Sequence, residues 1–324
     1  MLTSEPLVSI GLPVRNGETT VATAIRSVLS QDHSELELVI SDNASDDGTE
    51  EVCRAFAASD PRVRYYRQPQ NIGLINNVVQ VLDLAQGTYF KWLGDDDWLA
   101  TNYVSRCLET IENDQALILV ATQQAYVDSD GAMQTLRYDG EGLRSDRAVE
   151  RLTELLRVLN ESYLLLDPLY GLMRRARVAE VPRVNMLYED QVYAIRLALS
   201  GAFAYIPEVL SHRGAKPFSR RPVLARKIGV PPWHAGAATL LFCRELLRAI
   251  AEADMSAGDR RRAKAAVARL YLGRHRQTAV HRARKLAAMA GGRLRGSNRS
   301  TAPSASSPRH QAGHRTPSHG GRLP

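Results

Sequence analysis

Four short apolar runs, each followed by a stretch of helical period, organise the first hundred residues and constrain the fold more than any other feature. Leu7–Val14 (LVSIGLPV) reads as a buried strand that stops at Asn16-Gly17. Thr19–Leu29 then places Val21, Ile25, Val28 and Leu29 at helical spacing. Glu37–Ser41 is a second buried strand, ending in the turn-rich SDNASDDG, and Thr49–Ala58 a second helix. Val63–Tyr66 is a third strand. Asn71-Ile72-Gly73 opens a helix carrying Ile75, Val78, Val79 and Leu82, and Gly87 ends it. Thr88–Leu93 is a fourth strand that runs into Gly94-Asp95-Asp96-Asp97. Such alternation predicts an α/β fold with a doubly wound, mostly parallel sheet flanked by helices.

Ligands of such sheets bind outside the carboxyl ends of the strands. The polar, chemically loaded segments all fall there: Pro13–Asn16, Asp42–Gly48 and Asp95–Asp97. Three adjacent carboxylates repel one another unless a cation or solvent relieves them. Hard divalent ions take oxygen ligands, commonly one or two carboxylates completed by phosphate oxygens. The triplet is therefore a place to hold a metal and a diphosphate, and equally an ordinary solvated turn. Asp42 reads either as turn chemistry or as an acceptor for a base or ribose. Neither GxGxxG nor GxxxxGK[ST] occurs, so the dinucleotide and P-loop fingerprints are missing.

Further along, Leu117–Val127 and Phe203–Leu210 read as strands, and Val149–Leu159 and Asp190–Leu199 as helices. Leu169–Met173 is a short apolar run before Arg174-Arg175. From Pro217 the style changes: Ala235–Ala253 and Ala257–Ala290 are Ala/Arg/Leu-rich and helical, and Gly291–Pro324 has no acid and no apolar period. The charge follows this division. Residues 1–215 hold 19 Lys+Arg and 31 Asp+Glu; residues 216–324 hold 23 and 4. An acidic body suits collection of divalent cations rather than nucleic acid, and a basic C-terminal third suits an anionic membrane surface, or is simply a solvated face and tail. The expected organisation is a domain over 1–215 (halves at about 1–115 and 116–215), a basic helical extension over 216–290 and a disordered tail over 291–324. No run approaches the roughly 18–20 apolar residues of a membrane span, the N-terminus lacks a secretory pattern, and Cys53, Cys107 and Cys243 form no CxxC pair. A reducing, cytoplasmic compartment is the expectation, with peripheral contact at the inner face of the membrane.

Residues 7–100 resemble the nucleotide-sugar-binding half of a family 2 glycosyltransferase with the GT-A fold. The matching segments are VSIGLPVRNGETTVATAIRSVLSQ, LELVISDNASDDGT, the Asn71-Ile72-Gly73 turn and GTYFKWLGDDDW, in that order. Weaker similarity continues to about residue 215 through YGLMRR, YEDQ and IPEVLSHR; the last hundred residues carry none. The resemblance implies that Pro13, Val14, Asn16 and Asn71 line the nucleotide pocket, that Asp42 holds the base, and that Asp95, Asp96 and Asp97 form the DxD-type site, with Asp96 and Asp97 on Mn²⁺ or Mg²⁺. It implies that Glu189-Asp190 carries the catalytic base, Asp190 being the choice, and that Arg174 and Arg175 lie near the acceptor or diphosphate. An acidic helix start is the alternative reading of that pair. Members of the family often carry Arg-x-His after the last strand. Here the order is Ser211-His212-Arg213-Gly214-Ala215, so His212 substitutes as metal ligand or the ligand is absent, and Arg213 pairs with diphosphate. Trp98 reads as a wall of the sugar pocket or as core.

The implied activity is that of a hexosyltransferase-type enzyme. A metal neutralises the leaving nucleotide diphosphate, and one general base on the acceptor hydroxyl suffices for a single displacement with inversion. The implied partners are a nucleotide-diphosphate sugar, a UDP-sugar favoured, and a carbohydrate or lipid-linked acceptor of surface polysaccharide or glycolipid synthesis. A catalytically idle nucleotide-sugar binder or membrane scaffold is the alternative. A nucleotidyltransferase would need a Gly-rich basic loop after the first strand, which LPVRNGET is not. Nucleic acid is not an expected partner, because the basic third has almost no aromatics for base stacking.

Overall fold

In the computed structural model, which describes residues 5–274 and 276 apart from 129, 163 and 215–219, the alternation becomes β1 (Val8–Val14), α1 (Val21–Leu29), β2 (Leu36–Asp42), α2 (Thr49–Ser59), β3 (Val63–Arg67), α3 (Leu74–Leu84) and β4 (Tyr89–Trp92). Strands β1, β2, β3 and β4 are mutually parallel where they pair. All seven residues of β2 are buried, as in an interior strand covered on both faces. Alternate residues feed two cores: Leu38 and Ile40 pack on one face of the sheet, Val39 with Phe90 and Trp92 on the other.

The second half contains β5 (Trp98–Leu99), α4 (Tyr103–Glu112), β6 (Leu117–Val127), β7 (Met133–Thr135), α5 (Ala148–Glu161), β8 (Leu172–Arg174), α6 (Arg175–Ala179), α7 (Glu189–Ser200) and β9 (Ala202–Gly214). The strand order is β3-β2-β1-β4-β8-β6-β9-β5, with β7 on β6. This half is mixed. The short β8 lies antiparallel between β4 and β6, which restores β6 and its parallel neighbour β9 to the direction of β1. The last strand outruns the Leu210 end expected from its apolar pattern. Ser211 and His212 pair with Leu99 and Trp98, so the backbone partners of β5 carry the strand on to Gly214.

Beyond the sheet follow α8 (Arg221–Lys227), α9 (His234–Glu252) and α10 (257–274). Their apolar faces complete the same core: Leu241, Phe242, Leu246 and Ile250 of α9 and Ala263, Val267 and Leu270 of α10 join the cluster that holds Trp92, Tyr193 and Phe203. The helix expected from Ala257 therefore turns its apolar face into the protein over 257–274 and leaves Arg261, Arg262, Lys264 and Arg269 outside. The helix expected over 277–290 and the tail over 291–324 lie outside the described residues. Among the described residues no helix is long and apolar enough to cross a membrane.

Candidate active site

Sheet polarity decides what meets at one end. The carboxyl ends of β1, β2, β4 and β9 point the same way, which gathers Asn16, Asp42, Asp95–Asp97 and His212–Gly214. Because β8 runs the other way, its amino end joins them and its carboxyl end does not. Arg174 and Arg175 thus correct the expectation that they lie near the acceptor or diphosphate. Arg174 donates to the carbonyls of Leu117 and Ile111 at 2.8 and 2.7 Å, and Arg175 donates to that of Gly87 at 2.5 Å, all at the opposite edge. What the reversed strand delivers instead is Asp167 and Tyr170, just before its start.

The end of the sheet at β1 and β2 is built from loop-to-loop hydrogen bonds. Asn16 takes a left-handed conformation (φ 58°), its amide donates to Ser45 Oγ at 3.0 Å, and its Oδ1 accepts from the Asp46 amide at 3.1 Å. Asn43 reaches Asn71 Oδ1 at 2.9 Å and accepts from the Ile72 amide at 2.8 Å. Asn71 itself is exposed, Pro13 is half-buried, and buried Val14 gives its carbonyl to the Asn43 amide. Gly17 is needed here: a Cβ would stand 2.9 Å from Asp95 Oδ2. Asp42 is fully buried and accepts from the Ser45 amide and hydroxyl, Tyr65 Oη and Arg67 Nη1. Burial alone would raise its pKa, but the bonds from Ser45, Tyr65 and Arg67 outweigh it and hold the carboxyl below the usual range. Its charge ties down the loop after β2, with Arg67 also donating to the Ser45 carbonyl.

The aspartate triplet splits by direction. Asp95 Oδ2 accepts from Thr20 Oγ1 at 3.1 Å. Trp98 lies opposite His212, so the preceding pairs bring Asp97 to Arg213 and Asp96 to Gly214. Asp97 turns inward, accepts from the amides of Gly94 and Gly214, and lies 3.5 Å from Arg213 Nε. Burial pushes its pKa up to about 6 against the pull of Arg213. Asp96 sits over Gly214, where a Cβ would come within 2.6 Å of its Oδ2. On that side His212 stacks flat on Trp98 (5.2 Å between centroids, 4°), and its buried Nδ1 has no hydrogen-bond partner. Desolvation lowers the imidazole pKa and keeps it neutral, the form that ligates metals. Among the described residues no three His, Cys, Asp or Glu side chains close on a point by themselves. The orphaned Nδ1 and the outward Asp96 do fit a divalent ion whose shell is completed by substrate phosphate oxygens, the usual arrangement for Mg²⁺.

The two members of the acidic pair have opposite fates. Glu189 is buried and held by Arg183 at 2.6 and 2.9 Å, and that guanidinium lies over Trp92 and Tyr193. Asp190 opens to solvent. Protein crowds it nonetheless, and this desolvation, with the nearby Asp167 charge, pushes its pKa up to about 6. Sequence reasoning missed the group beneath it. Asp167 pairs with Arg213 at 2.6 Å, Arg213 lies 3.6 Å over the Tyr170 ring, and Lys91 Nζ donates to the Tyr170 carbonyl. Complete burial brings the Lys91 pKa down to about 7. The one local signal was Asp167 before Pro168, an N-cap that accepts from the Leu169 amide.

A group of acidic and polar side chains gathered at the carboxyl ends of a half-parallel sheet is where α/β folds of this kind bind their ligands. The sequence model of the family described as Glycosyl transferase family 2 matches residues 9–175, just over half of the chain. The chain belongs to that family. It is 32% identical to chondroitin synthase of Escherichia coli over 135 residues, 41% of this chain and 19% of the relative. It is 26% identical to a Campylobacter jejuni GalNAc(5)-diNAcBac-PP-undecaprenol beta-1,3-glucosyltransferase over 147 residues, 45% of this chain and 46% of the relative. The matches thus span less than half the length of these relatives. Among solved structures, Staphylococcus aureus TarS 1–349 in complex with UDP-GlcNAc superposes with a TM-score of 0.62 at 15% identity, covering 82% of this chain and 73% of that one; at this identity the likeness is one of fold.

Proposed function

We propose that the chain transfers a hexose from a nucleotide-diphosphate sugar, a UDP-sugar in first place, to an acceptor hydroxyl in the synthesis of a surface polysaccharide or glycolipid. The observation that carries this reading is the exposed Asp190, beside Asp167 and its partner Arg213, at the same sheet end as Asp95 and Asp96. Asn16, Asn43 and Asn71 frame the nucleotide pocket, and Asp42 fixes Ser45 and Arg67 around it. Asp96 and His212 would hold Mn²⁺ or Mg²⁺, which when bound supplies positive charge to the leaving diphosphate. Arg213 is kept charged by Asp167 and Asp97 and adds a fixed cation behind that position. Asp190 accepts the proton of the acceptor hydroxyl. One carboxylate in this role suffices for a single displacement with inversion.

The Campylobacter relative's name points to an undecaprenol-linked acceptor. Contact with an anionic membrane fits this acceptor class. Trp233 just before α9 and Leu240 and Leu247 on it, exposed by 61%, 58% and 40%, recur every seven residues; exposed Arg220 precedes α8, Arg226 and Lys227 lie on α8, and Arg244 lies on α9.

The testing experiment is calorimetry and thermal shift with UDP-, GDP- and dTDP-sugars, with and without Mn²⁺, on wild type and Asp96→Ala. Metal-dependent stabilisation by one nucleotide class, lost in Asp96→Ala, is expected. No response of the folded protein to any nucleotide refutes the donor assignment. Co-sedimentation with anionic but not zwitterionic vesicles checks the membrane contact.

A further inference from the structure

The residue before the acidic pair is in a conformation its type disfavours. Tyr188 has φ 65° and ψ 26°, left-handed, where a bulky side chain is strained and glycine would not be. Such residues persist only where their surroundings hold them, and they cluster at functional sites. The surroundings here come from the C-terminal helices. The guanidinium of Arg221 at the start of α8 and that of Arg274 at the end of α10 lie 5.5 and 5.3 Å from the centre of the Tyr188 ring. Phe242 of α9 meets the ring edge-on at 5.6 Å and also takes Arg274 at 4.8 Å. Arg274 then reaches the first turn of α7 itself, donating to Gln191 Oε1 at 3.1 Å. Just upstream, Asn185 donates to the Ile228 carbonyl at 3.0 Å, and buried Leu187 packs with Ala225, Val230 and Ala238. Thus α8, α9 and α10 grip residues 185–191 from both sides of the turn.

We infer that the C-terminal helices are a positioning device for Asp190, and that Tyr188, caged by Arg221, Phe242 and Arg274, is the positioning residue through which they act. The strained turn sets the angle at which α7 begins, and that angle sets where the Asp190 carboxylate stands in the cleft. A glycine would take the same backbone more easily but would give the three helices nothing to hold. The inference rests on the reading of Asp190 as the base.

The test uses the full chain with Arg274→Ala, Arg221→Ala, Tyr188→Gly and Tyr188→Phe. Two quantities are read: kcat with the donor dissociation constant, and hydrogen exchange of the amides at 188–191. Arg274→Ala and Tyr188→Gly are expected to lower kcat by roughly 10- to 100-fold, the scale of a displaced reacting group. Donor affinity should hold, exchange at 188–191 should rise, and the acid limb of the rate profile should move with the carboxylate. Tyr188→Phe keeps the ring face and should restore wild-type behaviour. Arg221→Ala changes an exposed arginine and guards against loss of folding; its effect should have the same sign and be smaller. Wild-type kcat in Arg274→Ala and Tyr188→Gly overturns the inference even if melting falls, since that is a merely structural role. Unchanged exchange at 188–191 overturns it as well, whatever kcat does. If Asp190→Asn keeps full activity, the base assignment fails on its own, and exchange still decides whether the cage holds the helix start.

Discussion

The raised pKa of Asp190 sets the pH at which the reaction should fail. A base must be unprotonated, and an ordinary aspartate with the reference value 3.8 would stay over nine-tenths ionised at pH 5. Desolvation and the Asp167 charge bring the Asp190 value to about 6, so about half is ionised at pH 6 and about one-tenth at pH 5. Going from pH 7 to pH 5 should therefore lower kcat/KM roughly tenfold, where an unshifted aspartate would lower it hardly at all. Rates fall as pH falls because the proton occupies the site that must accept the acceptor's proton. Asp97 titrates in the same range, its value also raised to about 6 by burial. Its contribution is separated by calorimetry of the donor over the same pH range, where the Asp97 proton acts and the Asp190 proton should not. Initial rates with a nucleotide sugar and acceptor at half-unit steps from pH 4.5 to 8 make the assay. Asp190→Asn should lose about 10²–10⁴ in kcat while keeping donor affinity. A profile flat to pH 5, or an Asp190→Asn enzyme with the wild-type limb, refutes the reasoning.

Other substitutions separate scaffold from chemistry. Glu189→Gln strips the buried Arg183 guanidinium of its counter-charge and should cost about 3–5 kcal/mol by chemical denaturation, while the acid limb set by Asp190 persists but moves to lower pH, because the Glu189 charge that helps raise it is gone. Arg174→Ala should destabilise by about 1–3 kcal/mol, from the unmet carbonyls of Leu117 and Ile111. It should leave the donor KM unchanged, and a large rise in that KM would return Arg174 to the site. Leu246→Ala empties a fully buried position where α9 meets the main core and should cost about 2–5 kcal/mol. A melting temperature equal to wild type would mean that α9 does not belong to that core.

The alternation of strand and helix through Leu93 was legible because each parallel strand writes a continuous apolar run and each helix its own period. The strand ends were legible as a consequence, and with them Asn16, Asp42 and the aspartate triplet. Trp98–Leu99 and Met133–Thr135 were not, because strands of two and three residues leave too little pattern. The Leu210 limit failed for a related reason: Ser211 and His212 have no apolar signature, and backbone pairing with Leu99 and Trp98 makes them strand.

By itself, then, the sequence determined the sheet's first half, the side of it that carries polar chemistry, and the candidate acids, since these follow from local period and from residue type at strand ends. Tertiary structure alone decided which acids are available. An antiparallel β8 sends Arg174 to the far edge and brings Asp167 to Arg213, a consequence of strand direction that no local pattern encodes. Adjacent residues Glu189 and Asp190 are chemically near-equivalent in one dimension; one is sealed by Arg183, the other is left facing solvent under a turn held by helices some 30 to 85 residues later. Long-range packing makes that distinction, because burial and charge environment belong to the assembled fold.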